Sequence, residues 1–326
     1  MSLATYQQKL ERLVVNMAAG RASPHKICMM LALFDLARGG GLAANRIKFD
    51  AALLERYARF FNAVRGPRDH PNPFFPYFHL AGKLRDRSPS FWHLVPLPGK
   101  EAALRALTTA RSNADIVDNV AYASLDPELF QLLQTPKAVD ALGTALALHW
   151  FDRGLAELRS IVAQCTEISR YEMGIRTGAA TAIAESTPPA YVRNPAFRRV
   201  VIQIYDYRCA ATGVRFLSPD GEAMVEAAHI HPFAAAGDDD PRNGLALTPD
   251  MHWAMDHNLI APGPDRLWHV SPSLDSRVPE HQKFFELDQR KLIGPTDRRM
   301  FPKEECLVWR LERLRKPGWL AEDDRE

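Results

Sequence analysis

His229, Asn243 and His252 occur in that order within one stretch, EAAHIHPFAAAGDDDPRNGLALTPDMHWAMDHNLI. Hydrolysis of a phosphodiester needs a base that activates water, a cation that takes up charge on the phosphoryl and leaving oxygens, and rigid aiming of both. An imidazole titrates near neutrality and can act as such a base. His229, at the end of a predicted strand, is the candidate. The Asn243 amide can hold the loop or the base imidazole in one orientation. His252 lies one turn into a helix predicted to begin at Thr248, and Asp256 comes four residues later. Both therefore project from one helix face and can converge on a divalent ion. In this order the residues can build a one-metal phosphodiesterase site.

The elements that must position them are legible in the surrounding chain. NPAFRRVVIQIYDYRCAATGVRF predicts a helix running into a Cys209–Gly213 turn and then a strand. A turn at Pro219-Asp220-Gly221 leads to a second strand, MVEAAHI, a long Gly/Asp/Pro loop and the helix from Thr248. The order is strand, strand, loop, helix. Taken singly, each residue has a plainer reading: His231, His257 and His269 as partly buried surface residues, Asn243 as a turn residue, and Cys209 as a buried structural thiol. It is the complete set in order that points to chemistry.

With those residues in view, the segment resembles the HNH, or ββα-metal, endonuclease family. Tyr205, Arg208, Cys209, Thr212 and Gly213 match a Tyr-x-x-Arg-Cys-x-x-Thr-Gly entry. Ala228, His229 and Ile230 match the strand; Asn243, Gly244 and Leu245 the loop; His252, Asp256, Leu259 and Ile260 the helix and the strand beyond it. The resemblance covers roughly 195 to 315, closing on the CLVWRLERL helix. It implies a metal-dependent nuclease with His229 as general base, Asn243 orienting the site and His252 on the metal. Many of these enzymes carry an Asp ligand directly before the base, where this chain has Ala228. Strand alternation puts Glu226 on the side of Ala228, so Glu226 can supply the carboxylate; Asp256 is the competing candidate.

Upstream, Leu10, Leu13, Val14 and Met17 predict a helix within 3–19, and Ser23-Pro24 opens a second, HKICMMLALFDLARGG, apolar on nearly all sides and therefore buried. Phe49 to Val64 predicts a third. GPRDHPNPFFPYFHL then has four prolines, which argues against helix and central strand alike. Phe91 to Val95 alternates as a strand, and 100–170 reads as helical throughout. Basic residues gather around the loops, Arg21, His25, Lys26, Arg46 and Lys48 first, then Arg65, Arg68, Lys83, Arg85 and Arg87. Ser23, Pro24, His25, Lys26, Phe75, Pro76, Tyr77, Leu80 and Trp92, over roughly 15 to 100, resemble the sulfur-binding modules of restriction enzymes that act on phosphorothioate-modified DNA. The resemblance implies DNA contacts from Arg21, His25, Lys26, Phe75, Pro76, Tyr77 and Arg85. A basic helix start suits a phosphate, and an apolar cup around Pro76 suits sulfur, which is larger and softer than oxygen. Phe75 departs from the Tyr usual before that proline, which leaves another modification, or unmodified DNA, open.

Length and composition frame these readings. At 326 residues the chain is expected to hold two domains of roughly 150 residues each. A net charge of +2 gives no chain-wide polyanion signal, so any nucleic-acid surface must be local. The four cysteines, 28, 165, 209 and 306, have no CxxC pairing, which argues against a disulfide framework or structural zinc and for reduced thiols in a cytoplasmic protein. The N-terminus has neither a basic start nor a long apolar run, and no stretch approaches membrane-spanning length.

The expected fold class is α+β: an α-rich DNA-recognition domain over 1–175 (core about 15–100, helical remainder 100–175), a linker over 176–192, and a ββα-metal nuclease domain over 193–326. The expected function is a restriction-type, Mg²⁺- or Mn²⁺-dependent endonuclease on double-stranded DNA, phosphorothioated DNA above all, working as a homodimer because double-strand cutting needs two sites. The alternatives are a catalytically weak DNA-binding defence regulator and a nicking nuclease on unmodified DNA.

Overall fold

The computed structural model describes residues 2–18, 20–151, 155–179 and 188–317. The chain divides into two units, residues 1–173 with 218–222, and residues 174–217 with 223–326. Part of the expected linker, 180–187, lies outside the described residues.

The first unit is helix-rich: α1 (Leu3–Glu11), a small β1 (Met17–Ala18) and β2 (Arg21–Ala22) hairpin, α2 (His25–Arg38), α3 (Ala51–Val64), α4 (Phe74–His79), β3 (Trp92–Pro96), α5 (Glu101–Ala106), α6 (Asn113–Val117), β4 (Val120–Leu125), α7 (Pro127–Leu132), α8 (Pro136–Phe151) and α9 (Leu158–Thr177). As its all-round apolar sequence requires, α2 is buried from Ile27 to Arg38. The two charged residues of that buried stretch are paired: Asp35 Oδ2 meets Arg56 Nε of α3 at 3.1 Å, and Arg38 Nε meets Asp140 Oδ1 of α8 at 2.8 Å. Arg56 also holds Glu172 of α9 at 2.6 Å, both side chains fully buried. Ions taken out of water persist only when so paired.

Three expectations change in this unit. The proline-rich segment does form a helix, α4, because Pro73 precedes it and Pro76 falls in its first turn, where a missing N–H costs no helical bond. The stretch 100–170 is not wholly helical: Val120–Leu125 pairs antiparallel with β3, Leu94 opposite Ala123. And α1 ends at Glu11, with Met17 and Ala18 in a strand.

The second unit contains α10 (Ala190–Ile204), β5 (Glu226–His229), α11 (Phe233–Ala236), β6 (Gly244–Leu247), α12 (Pro249–Asp256), β7 (Ile260–Pro262), β8 (Trp268–Val270), α13 (Gln282–Phe285) and α14 (Glu304–Glu312). The two strands of the ββα unit are β5 and β6, antiparallel, with His229 opposite Gly244. The strand expected before Pro219 shrinks to one bridge, Leu217 with Ala223, whereas the stretch after Asn243 is a fully buried strand. Burial explains the exchange: Gly244, Leu245, Ala246 and Leu247 present only small or apolar side chains to α10 and the core. Gly244 is required there, since a Cβ would come within 2.6 Å of Val201 Cγ2 and 2.8 Å of Phe197 Cζ. No helix among the described residues is long and apolar enough to cross a membrane.

Candidate active site

The turn Cys209–Gly213 anchors the floor of the site. Gly213, at φ 75°, adopts a left-handed conformation that favours glycine and donates to Cys209 O at 2.8 Å. The buried Cys209 Sγ accepts from Thr212 N at 3.5 Å and from Thr248 N at 3.4 Å, so the thiol ties the turn to the start of α12. Thr248 and Pro249 then open α12 as a helix start demands.

His229 closes β5. Its ring lies flat on Phe197 of α10, centroids 3.9 Å apart and planes 2° from parallel. Its Nε2 meets Asp239 Oδ1 at 2.9 Å, and that carboxylate is almost wholly buried, with Arg193 Nη1 on its other oxygen at 3.4 Å. Nδ1 has no hydrogen bond among the described residues.

Asn243 is fully buried, and its side-chain hydrogen bonds go to backbone groups, not to the ring of His229 or His252. Its Oδ1 accepts from His231 N at 2.9 Å, and its Nδ2 donates to His231 O at 2.9 Å and Asp238 O at 3.1 Å. The amide thus clips the chain leaving β5 to the loop that returns to β6. That loop is pinned by each acid of its Asp-Asp-Asp run in turn. Asp238 takes Lys303 at 2.7 Å, Asp239 takes His229, and Asp240 takes Arg242 at 2.7 Å. Its charged neighbours hold the Asp240 carboxyl below the usual range despite partial burial.

His252 stands between two carboxylates. Nδ1 meets Glu226 Oε2 of β5 at 2.8 Å, and Nε2 faces Asp256 Oδ2, one turn along α12, at 3.3 Å. The acids approach opposite nitrogens of one ring, so they do not share a point. Among the described residues no group of three or more His, Cys, Asp or Glu could hold an ion. The local donor set is the pair His252 and Asp256, with Glu226 behind the ring. Ala228 is fully buried, so the position that often carries a ligand faces the core. A cavity of about 490 Å³ gathers the set, with Phe197, Arg198, Glu226, His229, His252 and Asp256 in its wall. Asp256 sits at the negative end of α12, where helix polarity disfavours a carboxylate.

In the first unit, a cup of about 190 Å³ is lined by Val14, Val15, Asn16, Ser23, His25, Lys26, Phe75 and His79. Of the seven residues expected to face DNA, His25, Lys26 and Phe75 meet here. Arg21 lines an adjoining hollow that shares Asn16 and Ser23 with the cup, but it is engaged by Asp69 at 2.6 Å. Pro76 and Tyr77 are buried, and the Tyr77 hydroxyl donates to Ile47 O at 2.8 Å, so both belong to the core and not to a ligand surface. Arg85 lies elsewhere, 5.6 Å above the Trp150 ring. His25 spends both nitrogens internally, on Ser23 Oγ and His70 O, each at 2.9 Å, and burial lowers its pKa. It is therefore a neutral tether and not the cation expected; Lys26, its own pKa lowered by burial, carries what charge the cup has.

Asp239, Phe197 and the Val14-Val15-Asn16 wall are not foreseen from the sequence. Asp239 is hidden in a run that reads as turn chemistry, and nothing local distinguishes it from its two neighbours. Phe197 lies on a helix remote in sequence, and stacking leaves no periodic signature.

The family model for HNH endonuclease matches residues 209–261. Among solved structures, one described as "Modification dependent TagI restriction endonuclease" is similar at 18% identity, with a TM-score of 0.30 over 42% of this chain and 42% of that one. The match thus spans less than half of that protein's length. No curated protein matches the chain. Residues 209–261, which carry His229, Asn243, His252 and Asp256, match the HNH endonuclease family, and the C-terminal part of the chain holds that nuclease domain.

Proposed function

We propose that the chain is a restriction-type DNA endonuclease in which His229 takes the proton from the attacking water. The pairing of His229 with Asp239 carries this reading. A carboxylate on Nε2 favours the tautomer protonated there, which leaves the Nδ1 lone pair for water. Stacking on Phe197 fixes the ring plane, so only one placement of that lone pair is available. Asn243 works at one remove, holding the loop from which Asp239 projects.

A divalent ion suits the donors present. One imidazole and one carboxylate, with room in an open cavity for phosphate and water oxygens, fit Mg²⁺ or Mn²⁺. His252 and Asp256 would hold it, and Glu226 would orient the His252 ring from Nδ1, as carboxylates do behind metal-bound imidazoles. When bound, such an ion supplies charge stabilisation for the phosphoryl and leaving oxygens. His229→Ala is expected to abolish cleavage and leave DNA affinity within about twofold; metal-dependent cutting by the purified variant would refute the assignment. A second reading, a catalytically weak DNA-binding regulator, draws on the small ligand set. Titration with Mn²⁺ separates the two, since no binding at millimolar ion favours the regulator.

For the substrate we propose phosphorothioate-modified double-stranded DNA, recognised at the cup of the first unit. Val14, Val15 and Phe75 offer an apolar wall to sulfur while Lys26 meets the charge of the same group. Plasmid from phosphorothioating and ordinary hosts, incubated with the protein and a panel of divalent metals, tests this directly. Cutting confined to modified plasmid is expected; equal cutting, or nicking of both, identifies a nuclease for ordinary DNA. Paired cuts would further imply a homodimer, which the mass of the protein bound to one duplex would reveal.

A further inference from the structure

We infer that Arg310 is a positioning residue that holds the strand bearing His229 in register with the helix bearing His252 and Asp256. The inference rests on the catalytic roles proposed above for those three residues. Arg310 lies on α14, outside the matched domain, and only 2% of it is exposed. A buried guanidinium is costly unless its donors are satisfied. Here they reach both halves of the site. Nε donates to Ile230 O at 2.7 Å and Nη2 to His229 O at 3.1 Å, at the end of β5. Nη1 donates to Met255 O at 3.2 Å and lies 3.4 Å from Asn258 Oδ1, at the end of α12.

Those partners are informative because all are neutral oxygens. Among the described residues Arg310 forms no ion pair within 4.0 Å, so its donors are spent on backbone and amide oxygens while Asp256 acts on it only at longer range. Its planar fork spans two backbone segments at fixed separation, which neither a lysine nor a hydroxyl can do. Met255 O is among the last carbonyls of α12 and already accepts from Asn258 N at 2.9 Å, so Nη1 adds a second donor to it, and a cation there is favoured by the helix polarity. The same charge eases the placement of Asp256 at that end. Two catalytic segments already linked through β6 and the Glu226–His252 pair are thereby fixed further by one side chain from a third element.

The test uses the full chain with Arg310→Lys and Arg310→Ala. Misplacement of catalytic groups by about an ångström costs on the order of 100-fold in rate. The lysine variant is expected to lose about 10- to 100-fold in kcat with KM for DNA within twofold, measured at a temperature where it is fully folded. Millimolar guanidinium added to Arg310→Ala is expected to restore activity at least about tenfold. Wild-type kcat in Arg310→Lys overturns the inference, as does a loss in both variants that merely tracks their unfolded fraction. Amide exchange gives a readout free of catalysis: in Arg310→Lys it accelerates together in segments 226–231 and 252–258 and stays unchanged in α10. Unchanged exchange in both segments removes the clamp whatever the activity. Equal cutting by wild type and His229→Ala would instead remove the catalytic reading and leave the clamp to the exchange data.

Discussion

Replacing Asn243 with Ala removes three hydrogen bonds from a side chain with no exposure at all, those to His231 N, His231 O and Asp238 O. A typical bond of this kind contributes about 1 kcal/mol net, and more when the abandoned partner stays buried. The three partners lie at a half-buried loop edge where water can reach some of them, so the expected destabilisation is about 2 to 3 kcal/mol, a large share of a domain's margin. The effect on catalysis should be larger than this suggests. The clip that Asn243 makes is what sets the Asp238–Asp240 run against the end of β5, and Asp239 is the partner of His229 Nε2. Freed from the clip, Asp239 no longer fixes the imidazole, and cleavage should fall about 100-fold or more even where the protein remains folded. Asn243→Asp preserves the acceptor for His231 N but turns a carboxylate toward two carbonyls, so it should be no better than alanine. The assay is urea unfolding monitored by near-ultraviolet circular dichroism, paired with plasmid cleavage at a temperature where every variant is folded. An Asn243→Ala protein within about 0.5 kcal/mol of wild type that also cuts at the wild-type rate would refute the reasoning.

The geometry implies three further outcomes. Glu226→Gln leaves a half-exposed position and should not change the melting temperature, but it weakens the hold on His252 Nδ1, so Mn²⁺ affinity measured by calorimetry should drop about tenfold. Arg56→Met removes the cation that Asp35 and Glu172 share in the core of the first unit and should cost about 3 to 5 kcal/mol in urea unfolding. Burial lowers the Lys26 pKa, so the ammonium proposed to meet the phosphorothioate is present below that depressed value and lost as pH rises through it. Affinity for modified DNA by fluorescence anisotropy should therefore fall in the alkaline range for wild type and stay flat for Lys26→Arg, whose guanidinium remains charged; coincident profiles would exclude Lys26 from the contact.

The features legible in the sequence are those with local causes. The buried α2 arises from an apolar run with a proline at its start and glycines beyond its end, and α12 from Thr248-Pro249. His252 and Asp256 share a face because a helix returns every four residues, so that pair is visible from spacing alone. The single α4 turn is obscured because prolines forbid helix only beyond the first turn, and where a first turn begins depends on packing. The β4 strand is likewise invisible, since VAYASL becomes a strand only when β3 is beside it.

Sequence alone determined that this chain carries an imidazole, an amide and a second imidazole with a carboxylate one turn away, in an order suited to phosphodiester hydrolysis. It could not decide how they engage, because side-chain pairing depends on distances across elements far apart in the chain. Tertiary structure put Asp239 on His229, Glu226 and Asp256 on opposite nitrogens of His252, and Tyr77 inside the core. It also brought Arg310, about 80 residues downstream, onto the carbonyls of His229 and Ile230. A hydrogen bond is a matter of ångströms, and only the fold sets those.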